Sequence, residues 1–114
     1  MKSELGRGKL PFAKNRTINE LKTDINKDRA FKYVYVLLYM DFYTIDRAEI
    51  NDTLQAYDLH HLKSKGAYPE LRYKFSNCVL LTRTQHSNLH NGTLPKDYDD
   101  REPVFINFLK KMEF

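Results

Sequence analysis

Apolar positions recur at helical spacing near the start of the chain, where Ile18, Leu21 and Ile25 follow the capping-box pattern Thr17-Ile18-Asn19-Glu20. A helix is expected from there. The next stretch, DRAFKYVYVLLYMDFY from Asp28, places Phe31, Val34, Leu37 and Leu38 on one helical stripe, although its β-branched and aromatic residues would also suit a buried strand. Its length and its lack of Gly or Pro favour a helix, and it is the main hydrophobic element. Residues 44–55 are more polar, without a strong period, and read as a short helix or a connection. Residues 56–62 alternate weakly and predict a strand; 63–76 contain Gly66 and Pro69 and predict a long loop. The apolar run Cys78 to Leu81 predicts a second strand, antiparallel to the first. Residues 83–91 then read as a helix stopped by Gly92. After Pro95 comes a polar link, and Asp99 or Asp100 is expected to cap a terminal helix, about 101–113, with Pro103 in its first turn. Val104, Phe105, Phe108, Leu109 and Met112 form its apolar stripe, a docking face for the core or, as the alternative, for a second copy. The fold class is therefore α+β, with a strand–loop–strand–helix unit between flanking helices.

With 114 residues, the chain fits one domain, 17–114, behind an arm, 1–16, in which Gly6, Gly8 and Pro11 oppose regular structure. The lone Cys78 excludes an intrachain disulfide and a cysteine-built zinc site, and fits a reducing, cytoplasmic compartment. The N-terminus has no apolar signal region, and the longest apolar run, Tyr33 to Met40, is too short to span a bilayer; neither export nor a membrane partner is expected. The net charge of +4 is uneven: +4 over 1–16, −3 over 17–59, +4 over 60–91 and −1 over 92–114. Positive charge thus sits on the arm, through Lys2, Arg7, Lys9, Lys14 and Arg16, and on the segment 60–91, where a polyanion would bind.

That second basic segment also holds every histidine: His60, His61, His86 and His90. His86 and His90, four apart on the expected helix, project from one face and can chelate a metal ion. His60, on the facing strand, can add a nitrogen and leave positions for water and a phosphate oxygen. His61, its neighbour, points to the other side of the pleat and titrates near neutrality, so a metal ligand and a free base come from adjacent residues. No Glu follows His86, so the HExxH protease motif is absent. The combination suits phosphodiester hydrolysis.

The segment Tyr57 to Asn91 resembles the HNH, or ββα-metal, nucleases, and in detail the DNase domains of the nuclease colicins. Asp58-Leu59-His60-His61 is similar to their acidic-Leu-His-His entry; Asn77, His86 nine residues on and His90 four further reproduce their closing pattern; and PELRY-KFSN-CVLLT resembles the loop and second strand of phage and bacterial members. The resemblance covers about a third of the chain. It implies a small ββα-metal core over 56–91 with flanking helices, and an endonuclease that hydrolyses DNA and leaves 5′-phosphate ends. It implies His61 as general base, with His60, His86 and His90 as ligands of one divalent metal ion. Asn77 would fix the His61 backbone and ring across the loop, and Asp58 would orient a ligand or a phosphate-binding arginine. Arg72, Lys74 and Arg83 are candidate phosphate contacts.

Two departures shape these expectations. Many members carry paired CxxC motifs for a structural zinc, absent here, so packing must hold the scaffold. Members often have an acidic residue where His60 stands; the nitrogen-rich variant suits Zn²⁺, Ni²⁺ or Mn²⁺ better than Mg²⁺, although phosphate and water oxygens keep Mg²⁺ workable. The partner expected is DNA, with RNA as an alternative on the same scaffold. A non-catalytic DNA-binding module with a structural metal site is the reading from another class, a homodimer through the terminal helix would allow paired cuts, and the motif's flavour points to a phage or mobile element.

Overall fold

Helix α1, Asp28–Phe42, supplies most of the core. The computed structural model describes residues 28–113, so the basic arm and the helix expected from Thr17 lie outside the described residues. The helix is buried around most of its circumference, with Phe31, Val34, Tyr35, Val36, Leu38 and Met40 all inside, which is why no narrow stripe captured it. Phe31 stacks on Phe75 with ring centroids 4.9 Å apart, and Tyr35 meets Phe105 edge-on at 6.2 Å. The buried Tyr35 hydroxyl donates to the Cys78 carbonyl at 2.6 Å, satisfying both groups inside the core. The helix ends at Phe42 and the chain turns at Thr44, whose φ of 54° is the left-handed conformation usually given to glycine, and the Ile45 amide closes back on the Met40 carbonyl at 2.8 Å.

A 3₁₀ turn, Arg47–Glu49, is capped by Asp46, which accepts from the Ala48 amide, and leads into helix α2, Ile50–Ala56. The polar stretch 44–55 is thus both a connection and a short helix. Ala56, expected in the strand, is the last residue of α2. The junction is held by Lys32 of α1, whose ammonium donates to the carbonyls of Leu54 at 3.0 Å and Tyr57 at 2.8 Å, a cation placed at a helix C-terminus.

Strand β1, Tyr57–His61, pairs antiparallel with β2, Cys78–Thr82, in the register Tyr57 to Thr82, Leu59 to Leu80 and His61 to Cys78. Facing residues share a side of the pleat. One face carries Tyr57, Leu59, His61, Cys78 and Leu80, and its apolar members pack on the α1 core. The other carries Asp58, His60, Val79 and Leu81; its apolar pair packs with Leu89 in a separate small cluster. Between the strands, the loop includes 3₁₀ turns at Pro69–Leu71 and Phe75–Asn77. Helix α3, Arg83–His90, begins in a full capping box between Thr82 and Gln85. Gly92 follows it with φ 86°, a conformation that favours glycine.

Helix α4, Pro103–Met112, starts later than Asp99 or Asp100 would allow: its N-cap is Glu102, with Pro103 in the first turn. Neither aspartate caps it. Asp99 instead bonds Arg101, whose guanidinium reaches back to the carbonyls of Ser76 and Cys78, both at 2.9 Å, and fixes the start of β2. Phe105 and Leu109 are buried, and Phe108 and Met112 pack on the core, whereas Val104 is 62% exposed and leaves the expected stripe. A small α+β domain with four α-helices and one two-stranded antiparallel sheet results among the described residues. None of those helices is long and apolar enough to cross a membrane.

Candidate active site

The alternation of β1 separates the two neighbouring histidines. His60 lies on the face covered by α3, and His61 on the face covered by α1. His61 stacks on Phe31, with centroids 6.3 Å apart and rings 27° from parallel. Its Nε2 lies 2.8 Å from the Arg72 carbonyl. A carbonyl only accepts, so Nε2 carries the proton and Nδ1 keeps its lone pair. Burial lowers the pKa of this ring, against the opposing pull of the Arg72 backbone bond, and keeps the imidazole neutral near neutral pH.

Arg72 is anchored in turn. Its guanidinium makes two bonds to Asp28 at the head of α1, of 3.1 and 2.7 Å, and the Tyr73 hydroxyl joins the same carboxylate at 3.1 Å. This pairing holds the Asp28 carboxyl below the usual carboxylate range, the hydrogen bond from Arg72 being the main cause. Asn77 is the one buried polar residue among those described. Its Oδ1 accepts from the Lys63 amide at 3.0 Å and its Nδ2 donates to the carbonyls of Lys63 and Leu71, while the Leu62 amide donates to its backbone oxygen at 2.8 Å. Asn77 thus closes the loop that follows His61 through backbone groups of Leu62, Lys63 and Leu71, and the ring itself is held by the Arg72 carbonyl.

On the other face, His86 has its ring centroid 5.6 Å from that of His60 and 4.7 Å from that of His90. Asp58 Oδ2 accepts from His86 Nδ1 at 3.0 Å, which leaves the His86 Nε2 lone pair unclaimed. The other oxygen of Asp58 meets Arg83 Nε at 2.8 Å, and Arg83 also donates to the Gln55 carbonyl while its side chain stays 62% exposed. Burial alone would raise the Asp58 pKa, but the bond from His86 and the charge of Arg83 outweigh it and hold the carboxyl low. Burial, reinforced by the neighbouring His86, lowers the pKa of His60. Its Nε2 is fully buried and has no hydrogen-bond partner. Lys74 is partly buried at the turn before Phe75.

Among the described residues, no group of three or more His, Cys, Asp or Glu side chains is arranged to hold a metal ion. The fit to a divalent ion is one of donor chemistry: a neutral, buried and unpartnered nitrogen on His60, beside a His86 whose other nitrogen is oriented by a carboxylate. An orphaned buried lone pair is costly unless something binds it. His90, exposed at the end of α3, adjoins His86 and completes the group of three rings.

Sequence reasoning missed Asp28 and the Arg72 carbonyl, which together hold His61. A backbone oxygen has no residue-type signature, and Asp28 lies 44 positions from its partner. Arg101, which fixes the start of β2 from 25 residues away, was equally invisible. No family model matches the chain, and no curated protein or solved structure matches it.

Proposed function

We propose that this protein is a metal-dependent endonuclease of the HNH, or ββα-metal, kind that hydrolyses DNA phosphodiester bonds. The observation that carries the reading is the split across β1: a proton-accepting His61 on one face, and on the other His60 with an unclaimed buried nitrogen beside His86. Hydrolysis needs both functions at one phosphate, and this reading takes them from adjacent residues of β1.

His61 takes the proton from the attacking water at Nδ1, the nitrogen left free when Nε2 donates to the Arg72 carbonyl. The lowered pKa of the buried ring keeps that lone pair available at neutral pH. His60, His86 and His90 would hold a divalent cation, which supplies positive charge to the phosphate and the departing oxygen when bound. Asp58 orients His86 and at the same time holds the exposed Arg83, the side chain to which this reading gives a backbone phosphate. Arg72, tied to Asp28, serves the site through its carbonyl, so Arg83 is the stronger candidate for a phosphate contact.

Supercoiled-plasmid cleavage by the pure protein with Mg²⁺, Mn²⁺, Ni²⁺ or Zn²⁺, and with chelator, tests this beside His61→Ala. The expected result is metal-dependent nicking that the substitution abolishes. Full activity in His61→Ala removes the base assignment, and intact DNA beside degraded single-stranded RNA turns the reading to an RNase.

A further inference from the structure

β1 is five residues long, so Tyr57 lies roughly 13 Å from His61 along the same sheet face. Beside it opens a cleft of about 310 Å³ whose walls include Tyr39, Tyr43, Tyr57, Phe105, Gln85 and Asp100. Its rings form one cluster: Tyr39 and Tyr43 have centroids 5.0 Å apart, and Phe105 lies 6.0 and 5.4 Å from them. The Tyr43 hydroxyl donates to Glu102 at 3.0 Å, and Asp100 is exposed at the rim.

The charge on these walls decides what would enter. Arg101 also lines the cleft, but Nε and Nη2 bond Asp99, Nη1 bonds the Cys78 carbonyl, and Nη2 bonds that of Ser76. Its charge is already matched and its donors are engaged. At the start of α3 the capping box already takes two amides, those of Thr82 and Gln85, which bond each other's side chains. Aromatic faces and the carboxylate of Asp100 remain, and both favour a cation. Burial is the main cause that pushes Tyr43 up to about 12 and raises Tyr39, and the carboxylates of Glu102 and Asp100 add to it.

We propose that this cleft binds a guanidinium group, stacked on the tyrosine rings with its N–H edge toward Asp100. A planar, weakly hydrated cation with five donors uses ring faces and a carboxylate together, and an arginine stem can lie along the apolar ring edges. A compact ammonium uses the rings less fully and holds its water more tightly. Two sources share this chemistry, a free guanidino compound and an arginine of a protein partner. The site is separate from the histidines and does not depend on the nuclease reading.

The test is aromatic-ring NMR of the full chain titrated with N-acetyl-arginine amide, with its neutral isostere N-acetyl-citrulline amide, and with sodium sulfate. The expected result is saturable movement of the Tyr39, Tyr43 and Tyr57 ring signals by the arginine compound, at least roughly tenfold weaker with citrulline. Asp100→Asn should weaken binding roughly threefold or more at an unchanged thermal midpoint, since Asp100 is exposed. An arginine-containing peptide that binds more tightly than the capped amino acid assigns the site to a protein partner, and equal affinity assigns it to a small guanidino compound. Absence of saturable shifts with arginine, equal shifts with citrulline, or a response to sulfate in their place overturns the proposal.

Discussion

Asp58 has two oxygens with two employers, His86 and Arg83, so a single side chain sets the direction of a candidate metal ligand and of a candidate phosphate contact. Asp58→Ala should therefore lower metal-dependent plasmid cleavage by about ten- to a hundredfold. Measured thermal midpoints should move little, since the carboxylate is partly exposed and lies outside the apolar clusters. Asp99 carries a different consequence. The hydrogen bond from Arg101 depresses its pKa, so the folded state holds the ionised carboxylate more strongly than the unfolded state does. The stabilisation is complete above the unfolded value of about 4 and is lost as pH falls through the lower folded one. Protonation there leaves a guanidinium that is only 5% exposed without its counter-charge. Acid unfolding followed by circular dichroism should show a weaker pH dependence below about pH 4 in Asp99→Asn than in the parent, with the variant less stable at pH 7.

Elements were legible where local pattern and tertiary packing agree. The long run from Asp28 is a helix, the weakly alternating stretch and the apolar run after Asn77 pair as antiparallel strands, and the helix expected over 83–91 forms with Gly92 after its end. Boundaries failed where side-chain pairing or exposure decides. Asp99 looks like an N-cap in sequence, but Arg101 offers it a charge-assisted pair and α4 begins at Pro103 instead. Val104 fits the apolar period of α4, yet it sits at the helix entry on the solvent side, where periodicity carries no information about what lies opposite. The histidine spacing predicts His60, His86 and His90 on one side because strand and helix periods fix the faces, and the His86 ring lies 5.6 Å from that of His60 and 4.7 Å from that of His90; the support of His61 was hidden because it runs through a carbonyl. Thr44 is the clearest local conflict, a β-branched residue at φ 54° where α1 ends. Thr44→Gly should relieve that strain and stabilise the protein by about 1 kcal/mol, read from urea unfolding at constant slope. No gain would show that the Thr44 hydroxyl bond to the Tyr43 carbonyl offsets the backbone cost.

The whole molecule divides its labour between two apolar clusters. The larger one, built on α1 with Phe75, Phe105 and Leu109, lies on the sheet face opposite His60, whereas the small one beneath α3 consists of Val79, Leu81 and Leu89 with three partly buried neighbours. Removing metal should therefore abolish cleavage but leave the fold: with chelator, the far-ultraviolet circular dichroism and most of the thermal midpoint should persist. Collapse on chelation would instead identify a structural metal module. The pairing of β1 with β2 sets a last constraint, which concerns how such a chain can change length. One residue gained or lost between Tyr57 and His60 turns every later side chain of the strand to the opposite face and exchanges the places of the two adjacent histidines. The exposed stretch 63–70 has no such parity to keep, because Asn77 closes the loop at its ends. Insertions and deletions among relatives of this chain should accumulate in that loop and be purged from the strand, so that the spacing from His61 to Asn77 drifts while the adjacency of His60 and His61 does not.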